Sequence, residues 1–592
     1  MNNSAITPDM PADTKEVLTP DIEATMSDKT QTANKFYEAD AGDGTKVHEQ
    51  YMTGYALWLS FSSLFICLFL TGLDQTIIFT ILEKVGNKFS AYENIGWLTS
   101  GFMLTLAVFS QTWGKLSIFF GRKPSLVASL ILFEAGSLMC ALAQDMNVLI
   151  GGRVLAGIGG GGIQTLVFVI ASEMVPIHQR PLTFAFFGIS FSIASIVGPL
   201  IGGAFTENVS WRWCFYINLP LGGVALIALI IFFNPPSPKM KFSEKIKHID
   251  FVGTFLLTAG VVLLLLAMTF GGVEFSWNSG AVISMFVLGG VLLILFVYWN
   301  FKYSKDQILP MDIVKEWKVD VPVASLCSTF YCFLGSLVYI AVYFQIIMGT
   351  GPIATGVSLL PFILSVIIAS VLAGVFIKVT RHIKPFGVVF GGIVGCVGFG
   401  TLSLLSVDSS SSTKIGLLIM PGVSMGVMMQ AGLMSCQVNA PKTPGSVIMT
   451  TTFFGFSRAI GGAIGANLSQ AIFNSTLKQK LNEIYQENPS AFFGLKPSDM
   501  FKFYGSPSLI KNLPPSVSRI IYACIMKAIK NVFYACTGVS VITVVLTAFF
   551  ANTRVPKDED VKTKEEYEQE NQLEETTIDQ GSVIQYTPKT SV

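Results

Sequence analysis

The feature that most constrains this chain is the recurrence, from Tyr55 to Ala551, of apolar segments of similar length. A helix rising about 1.5 Å per residue crosses the hydrocarbon core of a bilayer in about 20 residues, and there every backbone polar group must be satisfied within the segment itself. Fourteen such segments fall at 55–79, 94–116, 125–143, 148–171, 182–205, 213–233, 250–270, 280–303, 322–347, 353–377, 386–406, 415–436, 447–473 and 531–551. They predict an all-α membrane protein. Composition points the same way, with 51% hydrophobic and 13% charged residues and a mean hydropathy of +0.58, outside the range of water-soluble domains.

Loop charges set the orientation. Connections from even to odd segments carry sixteen lysines and arginines, among them Lys115, Arg122, Lys123, Arg180, Lys378, Arg381 and Lys384, whereas the opposite short loops carry only Lys84, Lys88, Arg212 and Lys414. Positive charge favours the cytoplasmic side, so both termini are expected there. Residues 1–54 are polar, lack the apolar core of a signal peptide and read as a disordered cytoplasmic N-terminus,. The long connection 474–530 is expected outside, with a glycosylation sequon at Asn474 that lies too near the membrane for ready use,. Residues 552–592 form an acidic, polar tail, read as solvated disorder,.

The sequence also echoes itself. Gly114 to Pro124 (GKLSIFFGRKP) follows the second segment and Gly374 to Pro385 (GVFIKVTRHIKP) follows the tenth, each a basic hairpin with Gly at its start and Pro at its end. If segments 1–6 recur as 9–14, the chain holds two six-helix bundles, with the seventh and eighth segments as an inserted central pair. Parallel six-helix repeats around a site near the midplane are a transporter architecture.

Charges inside the segments are the functional candidates, since a central arginine costs roughly 3 kcal/mol on insertion scales and avoids lipid. Arg153 stands in the otherwise uncharged run Val148–Ile170 and shares a helix face with Gly157 and Gln164. Asp74, in LDQTII, shares a face with Ser63 and Cys67,. A carboxylate in an apolar setting exchanges a proton near neutral pH, and a fixed guanidinium nearby competes for it. Glu134 reads equally as a cavity carboxylate or a structural partner. Arg458, leading a stripe of Gly462, Gly465 and Ser469, reads as structural. Gly188, Ser192, Ser195, Pro199 and Gly202 make a seam of small residues that ends in a proline bend,.

Other chemistries are excluded. Gly157 to Gly162 (GIGGGG) fits a dinucleotide fingerprint formally, but it follows no strand and reads as close helix packing,. No phosphate-binding loop for ATP, no C-x-x-C and no H-E-x-x-H occur, and the 9 cysteines and 4 histidines are scattered,. No enzyme, metal or cofactor is expected; the proton gradient is the energy source. A net charge of +1 carries no nucleic-acid signal. The expected partners are small-molecule substrates, protons and the lipid bilayer, with the protein as a monomer.

At these residues the chain resembles the fourteen-helix drug:proton antiporters of the major facilitator superfamily, in particular their fungal multidrug-resistance branch, over residues 55–551. LDQTII (Leu73 to Ile78) and LIGGRVLAGIGGG (Leu149 to Gly161) resemble the two signatures to which the family assigns proton coupling, which maps to Asp74 and Arg153. GKLSIFFGRK resembles the superfamily loop between helices 2 and 3, implying gating roles for Gly114, Gly121, Arg122 and Lys123. GPLIGG resembles the end of the antiporter motif, with Gly198, Pro199, Gly202 and Gly203, and WRWCFYINLPLGG (Trp211 to Gly223) is similar to the start of helix 6. Two positions depart from the pattern. Ile118 stands where the loop motif has an acid, and Ala194 where the antiporter motif has glycine. The resemblance gives that acid to a charge network latching the cytoplasmic side, a part for which Glu173 is the expected substitute.

The resemblance implies bundles at 55–233 and 322–551 joined by a linker, 234–321, that holds the extra helix pair. It implies a proton-coupled exporter of varied small apolar or cationic compounds, of azole, dye or weak-acid type, working by alternating access in the plasma membrane. Gln164 and Gln345 are the expected substrate contacts, with Phe168, Tyr343 and Gln430 as further cavity candidates. The alternatives are a vacuolar carrier of basic amino acids or polyamines, a carrier of iron chelates, and a membrane sensor that no longer transports.

Overall fold

A computed structural model describes residues 36–89, 95–236, 238, 242–272, 275–487, 514–557 and 560–562. The chain divides into two units. One contains the two-residue strands β1 (Phe36–Tyr37) and β2 (Val561–Lys562), paired in parallel. The other, Ala39–Val555, is a bundle of long helices.

Its first half is built from α1 (Gly54–Ile77), α2 (Gly96–Phe120), α3 (Arg122–Leu142), α4 (Met146–Met174), α5 (Arg180–Asn208) and α6 (Asn218–Phe232). Next come α7 (Phe251–Phe270) and α8 (Gly280–Lys302). The second half holds α9 (Trp317–Val342), α10 (Leu360–Thr380), α11 (Lys384–Leu404, with a π-helical stretch at Gly387–Ile393), α12 (Ser411–Val438), α13 (Ser446–Glu487) and α14 (Pro515–Ala548). Among the described residues thirteen helices are long and apolar enough to cross a membrane. The fourteenth expected segment is α2, a 25-residue helix whose buried Thr105, Ser110, Gln111 and Ser117 dilute its hydropathy.

Packing gives the internal echo a physical form. In the first half α1 lies against α5 and α6, while α2 and α3 lie against α4; in the second, α9 lies against α13 and α14, and α10 and α11 against α12. Each pairing maps onto the other by a shift of eight helices. The halves meet where α2 crosses α13 and where α5 crosses α10, two contacts that exchange under the same relation. Helices α7 and α8 pair with each other, and Leu257, Val261 and Leu265 of α7 pack on Leu104 and Val108 of α2.

Glycine decides which helices approach. Along α4, a Cβ on Gly157 would strike Phe102 and Thr105 of α2, and one on Gly159 would strike Ser129 and Phe133 of α3. The run GIGGGG is therefore a packing surface, holding two neighbours at backbone distance. Asp145, Asp250 and Ser410 cap α4, α7 and α12 by accepting a backbone N–H of the first turn,. Large apolar residues such as Ile227, Ile294 and Leu372 stay exposed and give the flanks a lipid-compatible surface,.

Two expectations need correction. The connection expected at 474–530 is helical at both of its described ends: α13 runs to Glu487 and α14 starts at Pro515, and 488–513 lie outside the described residues. Leu477 and Leu481 pack on Val517, Ile521 and Cys524, so the two helices continue as a pair beyond the apolar stretch, and Asn474 of the sequon is buried within α13. Hydropathy marks where lipid ends; a helix with a partner need not stop there. The expected disorder of 1–54 also fails over Ala39–Met52, which is bound to the helical body as described below. The rest of 1–35 and the tail from 563 lie outside the described residues.

Candidate functional site

Asp74 sits three residues before the end of α1, with no exposed side-chain surface. Its Oδ2 accepts from Arg153 Nη1 of α4 at 2.5 Å, and its Oδ1 accepts from Asn218 Nδ2 of α6 at 3.3 Å. Arg153 also donates through Nε to the Leu98 carbonyl at 2.8 Å and lies over the Phe102 ring at 4.3 Å. Asn218 reaches on to Ser137 Oγ at 3.1 Å. Three helices thus converge on one carboxylate, closed to bulk water and to lipid. A buried ion pair holds both charges only while both partners are present; removing either costs about 3–5 kcal/mol. Protonating Asp74 is such a removal, and it leaves the guanidinium to find another partner.

Glu134 of α3 joins neither this pair nor the space between the halves. Its carboxylate lies against Gly222 of α6, and among the described residues neither oxygen has a hydrogen-bond partner.

The halves meet around a narrow cavity of about 20 Å³. Gln164, Thr165 and Phe168 of α4 line one side; Met429 and Leu433 of α12 and Thr451, Phe454, Gly455 and Arg458 of α13 line the other. Gln164 Oε1 accepts from Arg458 Nη2 across it. Gln164 and Phe168, two of the expected substrate contacts, thus line this cavity. The stripe that Arg458 leads, Gly462, Gly465 and Ser469, packs on α9 as the spacing predicts, and the Arg458 head reaches the cavity.

The remaining candidates lie elsewhere. Gln345 is in a π-helical stretch, Tyr343–Ile347, that follows α9, and it is not among the residues lining the cavity. Tyr343 is anchored nearby, donating to the Ser406 carbonyl at 2.8 Å. Gln430 of α12 meets Ser370 Oγ of α10 at 2.8 Å and reaches the Pro181 carbonyl of α5 at 3.2 Å, joining the halves. Position along a helix is readable from sequence; the neighbour its face meets is not.

The halves approach closely at the end bearing the basic loops. A Cβ on Gly114 of α2 would collide with Thr452 of α13, and one on Gly374 of α10 would lie 2.7 Å from the Pro181 carbonyl of α5. The two echo glycines therefore occupy equivalent crossings. Gly121, at a φ of 95°, makes the break between α2 and α3,. Lys123 donates to the Ile230 carbonyl at 2.7 Å and to Asn234 Oδ1 at 2.5 Å. Arg122 binds Glu173 at the end of α4 through Nε at 2.9 Å and Nη2 at 2.7 Å. Its Nη1 also holds Asp43 at 2.5 Å, and Asp43 has no exposed side-chain surface.

Asp43 is the site residue that sequence reasoning missed. It lies in a polar stretch where hydropathy and periodicity carry no signal. Its segment fastens both halves: Met52 N–H donates to the Met174 carbonyl at 3.1 Å, and Gly445 N–H, just before α13, donates to the Asp40 carbonyl at 2.7 Å. Gly42 packs against Gly445, where a Cβ would lie 2.9 Å from the neighbouring Cα. Ile118, replacing the usual acid, turns toward Gly445 as an apolar contact.

The small-residue seam of α5 lies on α1. Thr76 Oγ1 donates to the Ala194 carbonyl at 3.1 Å, Gly198 leaves room for Thr76, and Gly202 leaves room for Ile77 and Thr80. Pro199 and the buried Gly203 complete the seam within the same helix. Gly72 explains how alanine is tolerated at 194, since a Cβ on Gly72 would come within 2.9 Å of the Ala194 methyl.

Comparison with known proteins agrees with this architecture. The sequence profile of the Major Facilitator Superfamily matches residues 64–466. The chain is 34% identical to Vacuolar basic amino acid transporter 5 of Saccharomyces cerevisiae, over 86% of this chain and 93% of that protein. It is 32% identical to Azole resistance protein 1 of the same yeast, over 90% of this chain and 93% of that one. Its fold matches the proton:xylose symporter XylE with a TM-score of 0.51 at 15% identity, over 85% of this chain and 98% of the other. With its paired six-helix halves, central helix pair and cavity at the junction, the chain belongs to the major facilitator superfamily, a family of membrane transporters.

Proposed function

We propose that this protein is a proton-driven exporter of small apolar compounds that works by alternating access. The observation carrying this reading is the sealed Asp74–Arg153 pair, set in the same half whose α4 lines the cavity. A proton arriving at Asp74 cancels the carboxylate charge, Arg153 changes partner, and α4 shifts relative to α1; loss of the proton restores the pair. Movement of α4 alters the wall that carries Gln164 and Phe168, which couples protonation to cargo release. The crossings at Gly114 and Gly374 act as the gate at the basic end, which we place in the cytoplasm with both termini. Similarity to Azole resistance protein 1 supports a role in drug resistance, and we place the exporter in the plasma membrane. The proton gradient supplies the energy, and the protein acts as a monomer.

The test is efflux of labelled azoles from proteoliposomes carrying a proton gradient. Flux is expected to vanish when the gradient is collapsed and in Asp74→Asn. Flux indifferent to both rejects the reading.

Similarity to Vacuolar basic amino acid transporter 5 favours a second reading, transport of basic amino acids. The cavity opposes it, because its lining contains Arg458 and no carboxylate. Saturable, gradient-driven uptake of labelled arginine or lysine would establish this reading over the first.

A further inference from the structure

The motif that opens α6, Trp211 to Gly223, brings two intramembrane carboxylates into one layer of the first half. Asn218 donates to Asp74 and to Ser137, and one helical turn later Gly222 leaves the space that the Glu134 carboxylate fills. Glu134 in turn precedes Ser137 by one turn of α3. A polar layer thus lies along the contact of α3 with α6, with Glu134 at one end and Asp74 at the other.

Among the described residues no cation pairs with Glu134. The charged groups on the elements packed against α3 are engaged elsewhere: Arg153 with Asp74, Glu173 with Arg122, Arg212 with the Ala141 and Ala143 carbonyls, and Lys115 over the Phe119 ring. Helix α6 carries no charged residue. The ionisable groups acting on Glu134 come from α1, Asp74 with a like charge and Cys67. Both Glu134 oxygens and Asn218 Oδ1 lack a donor among the described residues, so the layer has acceptors to spare. Ile131 and Leu138, one turn to either side of Glu134, are exposed on the lipid-compatible surface. An ionised carboxylate beside lipid, with neither cation nor donor, is costly. A carboxylic acid is neutral and brings the O–H donor that the layer lacks.

We propose that Glu134 is a second proton-binding site, which carries a proton while Asp74 is ionised and paired and gives it up to water when Asp74 is neutralised. The O–H bond breaks with its electron pair left on the carboxylate. Two changes drive the release. A neutral Asp74 no longer repels charge on Glu134, and the Arg153 guanidinium, freed from Asp74, requires an anion in the same half. Glu173 is committed to Arg122, which leaves Glu134 to supply it. The proposal rests on the reading that Asp74 takes the driving proton, and it names the group toward which Arg153 turns.

The test uses the full-length protein in nanodiscs and reads protonation without transport. Dicyclohexylcarbodiimide, an apolar reagent, adds to protonated carboxyl groups, and mass spectrometry of the peptide holding Glu134 measures the adduct. Wild-type Glu134 is expected to label at neutral pH. Asp74→Asn, a fixed mimic of the neutral acid, should label about tenfold more slowly, the factor that one pKa step represents. Adding Arg153→Gln removes the freed cation and should restore the wild-type rate. Infrared spectroscopy provides a second measurement should Asp74→Asn not fold: the wild type should show a protonated-carboxyl band that Glu134→Gln removes. Absence of that band overturns the proposal, as does labelling of Asp74→Asn as fast as the wild type. Linked protonation without gradient-driven flux upholds the second site and rejects the exporter reading. Gradient-driven flux in a protein whose Glu134 is ionised throughout does the reverse, so the two failures are separable.

Discussion

Asp74 and Arg153 form an ion pair of 2.5 Å in which both side chains are withdrawn from solvent, joining α1 to α4. The pair has two separable consequences, one for stability and one for coupling. Neutralising either partner alone strands a buried charge or leaves its hydrogen bonds unmade, at a cost of about 3–5 kcal/mol. Asp74→Asn and Arg153→Gln are each expected to lower the melting temperature of the purified protein. The double variant should recover much of that loss, because no lone charge remains. Gradient-driven flux should stay abolished in all three, measured in the same proteoliposomes. Flux restored together with stability would show the pair to be structural only.

Asp43 supplies to Arg122 a second carboxylate, beside Glu173, from a segment outside the helices. Hydrogen bonds to charged groups contribute about 1.5–3 kcal/mol, so Asp43→Asn should loosen the segment that ties α4 to the start of α13. Faster amide exchange across residues 39–52 is the expected readout by hydrogen–deuterium mass spectrometry. Ile118→Asp, which returns the motif's acid on the turn before the same arginine, should slow the exchange again at the gate helices α2 and α13. Unaltered exchange in Asp43→Asn would remove the segment from the gate.

Gly114 and Gly374 occupy related crossings, so equal insults should have equal effects. A leucine at either position overpacks a helix contact, which costs about 1–3 kcal/mol and reduces the closed population roughly tenfold. Both variants are expected at normal levels in the membrane, with transport reduced to a similar degree. Cysteine-labelling from the basic side should report the opening. Loss at one glycine with no effect at the other would break the repeat relation.

Gly72 and Ala194 are complementary in volume, and this can be tested as a cycle. Gly72→Ala puts two methyl groups at 2.9 Å, a clash expected to cost about 1–3 kcal/mol. Adding Ala194→Gly should return most of it, because the family's usual glycine restores the space. The thermal midpoints of the four proteins measure the interaction. Additive losses would mean that α1 and α5 do not meet there.

Much of the scaffold was legible before any coordinates, for a reason specific to lipid. The bilayer fixes helix length and penalises charge, so span positions, Asp74, Arg153 and the echo loops stood out in one dimension. Gly114 and Gly374 could be named as equivalents because each opens a basic hairpin that a proline closes. What the sequence did not show depends on which face meets which neighbour. Gln164 and Gln345 look alike as polar residues in apolar helices, yet one fronts the cavity and the other lies in the stretch following α9. Arg458 looked structural because its glycine stripe is a packing signal, and only the approach of α4 shows its head facing Gln164.

The amino-acid sequence by itself determined a helical membrane protein with an internal repeat, since hydrocarbon leaves the backbone few other choices. Tertiary structure alone decided that Asp74 pairs with Arg153, that Asp43 fastens Arg122, and that α13 and α14 continue together beyond the apolar stretch. Those outcomes turn on distances of a few ångströms between residues remote in sequence. Burial, pairing and cavity shape arise only when helix faces meet.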